Sequence, residues 1–252
     1  MLKWSRTLSV LILSLTVIVG TQPIAHRILV PVAMAQTFEE QQQEAKQLLD
    51  LGMGQYEQGQ FLDASQSWEQ ALDIYQRIGD KTGERNTSFY LGNLYKNLGD
   101  YFTARQYLLQ SLALSQEIGD KSSEGYTLIV LANIYLNLGK YTEAEQYFLQ
   151  SLLLSRQVGD ISREGYVLMG LADVYLKLEE YPQAEEYLLQ SLPIFRQSGD
   201  KIRESINLNK LGEIYYTLGE FAQAQEYYQE YLIITRDLKD KEQEIKALNS
   251  LG

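Results

Sequence analysis

Residues 107–121 read YLLQSLALSQEIGDK, and closely related text stands forty residues to either side. The equivalents are SWEQALDIYQRIGDK at 67–81, YFLQSLLLSRQVGDI at 147–161, YLLQSLPIFRQSGDK at 187–201 and the degraded YYQEYLIITRDLKDK at 227–241. A Gly-Asp pair marks the beat at 79–80, 119–120, 159–160 and 199–200, with Lys239-Asp240 in its place in the fifth copy. A fixed period of this length means stacked supersecondary units, each too small to bury its apolar face alone. A chain built this way is a scaffold first, so a binding surface is expected before a catalytic centre.

Each unit reads as two amphipathic helices. In the third, Tyr141, Ala144, Tyr147, Phe148, Ser151, Leu152, Ser155 and Val158 follow the i, i+3, i+4 spacing of one buried stripe. The helix before it carries Tyr126, Ile129, Val130, Leu131, Ile134, Tyr135 and Leu138. Gly59, Gly99, Gly139 and Gly219 lie between the two helices, where a left-handed residue ends the first one. Glu179 holds that place in the fourth unit, so a different turn is expected there. Asp80, Asp120, Asp160 and Asp200 are placed to cap the next unit, with Glu84, Glu124, Glu164 and Glu204 in its first turn. Small residues form two columns, Ala64, Ala104, Ala144, Ala184, Ala224 and Gly52, Gly92, Ala132, Ala172, Gly212, as close helix crossing requires. Pro193 falls inside a second helix, where it should remove a hydrogen bond and bend the axis. Tyr231 replaces the small residue found at Ala71, Ser111, Ser151 and Ser191.

Leu followed by Gly or Ala (91–92, 131–132, 171–172, 211–212), Tyr three residues on (95, 135, 175, 215), an aromatic at 61, 101, 141, 181 and 221, and then the alanine column resemble the tetratricopeptide repeat. The period exceeds the common ~34 residues and is similar to the forty-residue form of kinesin light chains and of bacterial proteins with GDK-type linkers. The resemblance implies an all-α fold, a right-handed α-solenoid of antiparallel helix pairs (a TPR superhelix). About five full repeats are expected at 45–80, 85–120, 125–160, 165–200 and 205–240. Residues 241–252 align with the start of a sixth, read either as a short polar cap or as an incomplete repeat.

Lys3 and Arg6, the apolar run from Leu8 to Val19, and Ala33-Met34-Ala35 read as a signal peptide over 1–35, leaving 36–44 as a linker or helix start. Export to the periplasm or outside the cell is expected, or to a thylakoid lumen if the source is cyanobacterial. The alternative is an N-terminal membrane anchor, although the apolar run is shorter than the ~20 residues of a usual span. Removing 1–35 takes away Lys3, Arg6 and Arg27 and no acid, moving the formal charge from −11 to −14. Such acidity disfavours nucleic acid and anionic lipid as partners.

The sequence has no cysteine, and its one histidine, His26, lies in the expected leader. Disulfides, thiolate or histidine metal sites and Ser-His or Cys-His catalysis are therefore not expected past residue 35. Neither the Walker nor the dinucleotide glycine pattern occurs. The reading is of a non-enzyme with no cofactor and no metal.

In the tetratricopeptide family the first helices line the concave face, which binds an extended peptide or a partner helix. Carried onto this chain, the resemblance puts Asn93, Asn133, Asp173 and Glu213 in one column, Lys96, Leu136, Leu176 and Tyr216 in a second, and Asn97, Asn137, Lys177 and Thr217 in a third. Tyr126 and Tyr166, with Asn86, Phe89, Ile129 and Met169, lie nearer the helix starts. Asparagine offers a donor and an acceptor to a peptide backbone, and tyrosine an apolar body with a polar tip. The other reading is that the asparagines bridge neighbouring units and the tyrosines pack between helices. The mixture suggests a polar or mildly basic ligand. The function expected is an exported interaction scaffold for a protein or peptide. The signal segment, Trp68-Glu69-Gln70-Ala71-Leu72 and GDK linkers also resemble the front half of cyanobacterial repeat proteins carrying a caspase-like (CHAT) peptidase. Self-association through the open sixth repeat is a third reading.

Overall fold

In the computed structural model, residues 26–251 are described, with side chains from residue 37 on; most of the expected leader lies outside the described residues. The chain divides into two units, 1–40 and 41–252, and the whole array lies in the second. Among the described residues the elements are all helices: α1 His26–Glu57, α2 Phe61–Ile78, α3 Lys81–Asn97, α4 Tyr101–Ile118, α5 Lys121–Asn137, α6 Tyr141–Val158, α7 Ile161–Lys177, α8 Tyr181–Ser198, α9 Lys201–Thr217, α10 Phe221–Asp237 and α11 Lys241–Leu251. Consecutive helices run antiparallel, so the second unit is an all-α solenoid of the kind the repeats predict. None of the described helices is long and apolar enough to cross a membrane.

The Gly-Asp grammar acts as expected. Gly79, Gly119, Gly159 and Gly199 end the second helices with φ of 73°, 79°, 72° and 71°. The next residue then caps the following helix: Asp80, Asp120, Asp160 and Asp200 accept from the backbone N–H of Gly83, Ser123, Arg163 and Arg203 at 2.9, 3.0, 2.9 and 3.0 Å. Each such cap stabilises its helix by about 1 kcal/mol.

One expectation is corrected. Glu179 does not build a different turn. Its φ is 61°, and the turn carries the same hydrogen bonds, Glu179 N–H to Leu176 O and Glu180 N–H to Tyr175 O, that Gly139 and Lys140 make to Leu136 and Tyr135. Neighbouring helices fix the backbone, and the side chain accepts the left-handed conformation. Pro193 lies inside α8, which runs unbroken from Tyr181 to Ser198, and it has no backbone N–H to donate to the preceding turn.

Both small-residue columns are buried where the helices cross. A Cβ on Gly92 would stand 2.6 Å from Leu108 Cγ, and one on Gly212 would stand 2.5 Å from Tyr228 Cε1. Phe148 is larger than its counterparts Leu108 and Leu188, and the next repeat makes room for its ring with Gly170, whose Cβ would come within 2.6 Å. Tyr95, Tyr135, Tyr175 and Tyr215 each stack on a tyrosine of the following helix (Tyr107, Tyr147, Tyr187, Tyr227) with centroids 5.2–5.8 Å apart. Tyr231 is fully buried and donates to Gln243 Oε1 of α11 at 2.6 Å, and burial pushes its hydroxyl up to about 12. The departure at 231 thus fastens the last helix to the array.

Packing is densest inside the pairs α3–α4, α5–α6, α7–α8 and α9–α10. The first helices also touch one another directly, α3 on α5 and α5 on α7. They form a continuous inner face on which side chains from successive repeats can meet.

Candidate functional site

The sequence-derived residues fall into three groups on that face. Tyr126, Asn133 and Tyr166 come together in a cleft of about 340 Å³ formed by α3, α5 and α7, the first turn of α9 at its edge, with Phe89, Lys96 and Ile129 beside them. Asn137, Asp173, Lys177 and Glu213 line a second cleft of about 670 Å³ along α5, α7 and α9. Asn93, Asn97 and Tyr216 line neither. Tyr216 packs edge-on against Phe221 at 5.5 Å, and both line a small pocket of about 200 Å³ together with Leu251.

The four asparagines differ in what they bond. Asn97 and Asn137 bridge units, donating to the hydroxyls of Tyr56 and Tyr101 at 2.6 and 3.5 Å. Asn93 and Asn133 do not: each donates from Nδ2 to the carbonyl four residues back in its own helix, Phe89 at 3.0 Å and Ile129 at 2.9 Å. One of the two amide N–H donors is therefore engaged by the helix, leaving Asn133 a second N–H and its carbonyl oxygen.

In the second cleft both carboxylates are paired, while Lys177 has no ion pair among the described residues. Asp173 pairs with Lys210, and Glu213 accepts from Asn209 at 2.8 Å and pairs with Lys246 at 3.3 Å. The α3–α5–α7 cleft differs. Arg163 and Arg203 line it together with Lys96, and no carboxylate does. Arg163 is 3% exposed; its guanidinium lies 3.9 Å over the Tyr126 ring, pairs with Asp160 at 2.8 Å and donates to Ser122 Oγ at 2.9 Å. Its Nε and Nη1 have no partner. Arg203 repeats the arrangement one unit on, 5.5 Å over Tyr166 and paired with Asp200. Each arginine stands three residues after a capping aspartate, so it arrives with its own counter-ion. Burial opposes ionisation of Asp200, but hydrogen bonds from Arg203 outweigh it and hold the carboxyl below its usual range.

These arginines escaped the sequence reading because they lie in the first turn, ahead of the columns carried over from the family. The signal was present: Arg163 and Arg203 hold equivalent positions, and Gly125 stands where a Cβ would come 2.7 Å from Arg163 Nη1. Among the described residues no group of three His, Cys, Asp or Glu could hold a metal ion. The arrangement offers donors, cations and aromatic faces, which is the chemistry of recognition.

A tetratricopeptide repeat model matches the chain in four overlapping windows, 42–117, 84–157, 123–197 and 163–237. Among solved structures, BtubC (BKLC) from P. vanneervenii is similar with a TM-score of 0.72 at 20% identity, over 83% of this chain and 91% of that one. The kinesin-light-chain-like repeats of Podosopora anserina give 0.64 at 18% identity, over 77% and 96%. A Rap protein complexed with competence and sporulation factor gives 0.66 at 17% identity, over 82% and 62%. No curated protein matches the chain in sequence.

Proposed function

The chain belongs to the tetratricopeptide repeat family, and on that premise we propose that it is a non-catalytic scaffold whose inner face binds another polypeptide. The observation that carries the reading is the α3–α5–α7 cleft, where Lys96, Arg163 and Arg203 stand among Phe89, Tyr126 and Tyr166 without a lining carboxylate. The ligand is a segment carrying acidic side chains beside apolar ones: the arginines meet the carboxylates, and the exposed Tyr126 face, half open to solvent, meets the apolar groups. The Rap relative, solved in complex with a factor, supports binding of this kind. The absence of His and Cys beyond residue 35 supports a role without catalysis. The leader-like residues 1–35 and the lack of cysteine support export.

The test is capture of the partner by the immobilised chain from its native source, followed by titration with the triple variant Asn133→Ala, Tyr166→Ala, Arg203→Ala. Binding weaker by at least about tenfold, some 1.4 kcal/mol, is expected. Unchanged binding by a variant with wild-type circular dichroism refutes the inner-face reading.

A further inference from the structure

The second helices of the repeats carry the outer face of the array, and two positions on it change character along the chain. At 69, 109, 149, 189 and 229 the residues are Glu, Leu, Leu, Leu and Gln; one turn on, at 73, 113, 153, 193 and 233, they are Asp, Ala, Leu, Pro and Ile. Leu109, Leu149 and Leu189 are 40–43% exposed, and Leu153 is 59% exposed. In the first repeat Glu69 accepts from Tyr95 of the next unit at 3.3 Å; Tyr175 and Tyr215 donate instead to Glu145 and Glu185, four residues before the leucines. The position of Glu69 is thus released from that bond in the third and fourth repeats, where it holds an apolar side chain facing water. Successive second helices are neighbours. Leu154 of α6 packs into the cluster that holds Leu108 and Leu112 of α4, and Ile194 of α8 into the one that holds Phe148 and Leu152 of α6. The leucines therefore form a row across three adjacent helices.

The same three helices are electrically neutral. Their exposed charged residues are Glu117, Arg156, Glu186 and Arg196, two of each sign. On either side the exposed charges of α2 (Asp63, Glu69 and Asp73 against Arg77) and of α10 (Glu226, Glu230 and Asp237 against Arg236) leave a net −2. An apolar patch rimmed by charge marks an interaction site. Two copies of a chain of formal charge −11 repel each other over most of their surfaces, and on this face they meet without opposing like charges. The face is also large enough. α4, α6 and α8 have 18 residues each, so at ~1.5 Å per residue and at least ~8 Å between axes they present at least about 650 Å² in projection, near the ~800 Å² per partner of a standard interface. Pro193 leaves the Leu189 carbonyl without its helical donor on this face, and the exposed amides of Gln146 and Gln150 on α6 are donors of the kind it lacks.

We propose that the occupant of this face is a second copy of the chain. The outer faces of two copies cross about a two-fold axis at α6, where Leu149 and Leu153 meet their counterparts, and the acidic α2 and α10 of the two copies stay apart. Such a dimer leaves both inner faces open, so it would present two clefts to a partner. It does not depend on what the inner face binds.

The test is sedimentation of the full 252-residue chain across about 1 µM to 1 mM, where a reversible monomer–dimer equilibrium is expected. Leu149→Glu combined with Leu153→Asp installs the residues that the first repeat carries at these positions, so the helix is kept. It should raise the dissociation constant at least about a hundredfold, because four carboxylates would face one another. Leu138→Gln, which copies Gln58 at an equally exposed position outside the patch, should leave the constant unchanged. Since the chain has no cysteine, Leu153→Cys supplies a single thiol; with copper-phenanthroline as oxidant it should give a covalent dimer under conditions that leave Leu138→Cys monomeric. Any of four results overturns the proposal: a wild-type chain that stays monomeric, a double variant that associates as the wild type does, an equal loss in Leu138→Gln, or equal crosslinking of the two thiols.

Discussion

Replacing Glu179 by glycine should stabilise the protein, although it deletes a side chain. Glu179 sits at φ 61°, where the glycines of the equivalent turns sit at φ 70° to 81°. A left-handed backbone costs a residue with a Cβ about 1–2 kcal/mol. Glycine offsets part of that gain by adding about 0.4–1 kcal/mol of unfolded-chain entropy. The side chain is exposed and takes part in none of the hydrogen bonds or ion pairs of the described residues, so nothing else is lost. The net expectation is a gain of about 0.5–1 kcal/mol, a rise in melting temperature of about 1–4 °C for a chain of this size. Lys239, at φ 58°, should respond alike. The two sites lie in different repeats, so the double variant should show the sum of the single effects within about 0.5 kcal/mol. The reverse change, Gly139→Glu, should cost a similar amount. Urea unfolding followed by circular dichroism measures all four. No gain in Glu179→Gly, or full tolerance of Gly139→Glu, would refute the argument from backbone strain.

Gly92→Ala should destabilise, because its Cβ would lie 2.6 Å from Leu108 Cγ and 3.2 Å from the Ala104 carbonyl; overpacking of about 1–3 kcal/mol exceeds the ~1 kcal/mol gain in helix propensity. Gly54→Ala, in open space on α1, should show that gain alone, and equal shifts in the two variants would contradict the crossing geometry. Tyr231→Ser, which restores the residue of earlier repeats, should cost about 3–5 kcal/mol and release α11, seen as faster amide exchange over 241–251; unchanged exchange would sink the fastening role. Acid should weaken the array: the Ser123 backbone N–H holds Asp120 below the usual 3.8, and hydrogen bonds from Thr103 do the same for Asp100. A depressed carboxyl contributes stability above its unfolded value and loses it as pH falls through its folded one, so urea midpoints should be flat from about pH 7 to 5 and fall below about pH 4. A midpoint held at pH ~2 would show that the caps contribute nothing through their charge.

The fold was legible because its instructions are local and repeated. A glycine that ends one helix and an aspartate that caps the next recur every forty residues, and each recurrence corroborates the others. Glu179 shows the limit of that reading. The sequence registers a missing glycine, but it does not register the flanking helices that hold the backbone in place regardless. The inner face was legible only as far as the family columns reached. Tyr126, Asn133 and Tyr166 meet in one cleft because columns of a solenoid are neighbours by construction. Arg163 and Arg203 lie outside those columns. Their importance depends on a long side chain crossing from one repeat to the tyrosine of the repeat before, a contact between residues 37 apart that no local pattern announces.

How a chain of formal charge −11 can present a cationic cleft follows from where its acids are held. Six aspartates, Asp80, Asp100, Asp120, Asp160, Asp200 and Asp240, are turned toward backbone N–H groups at helix starts. Others pair across repeats, Asp173 with Lys210, Glu230 with Arg196 and Glu117 with Lys81. At the first turns of α7 and α9 the cap engages an arginine as well as the backbone, and the rest of each guanidinium is directed over a tyrosine. Lys96 adds a cation that has no ion pair among the described residues. With a Debye length of about 8 Å at physiological salt, acids on the outer surface act weakly across the width of a helix pair, while groups inside the cleft act at contact. Net charge therefore governs solubility and long-range approach, and on the proposed reading the few groups facing Tyr126 and Tyr166 govern what can stay bound.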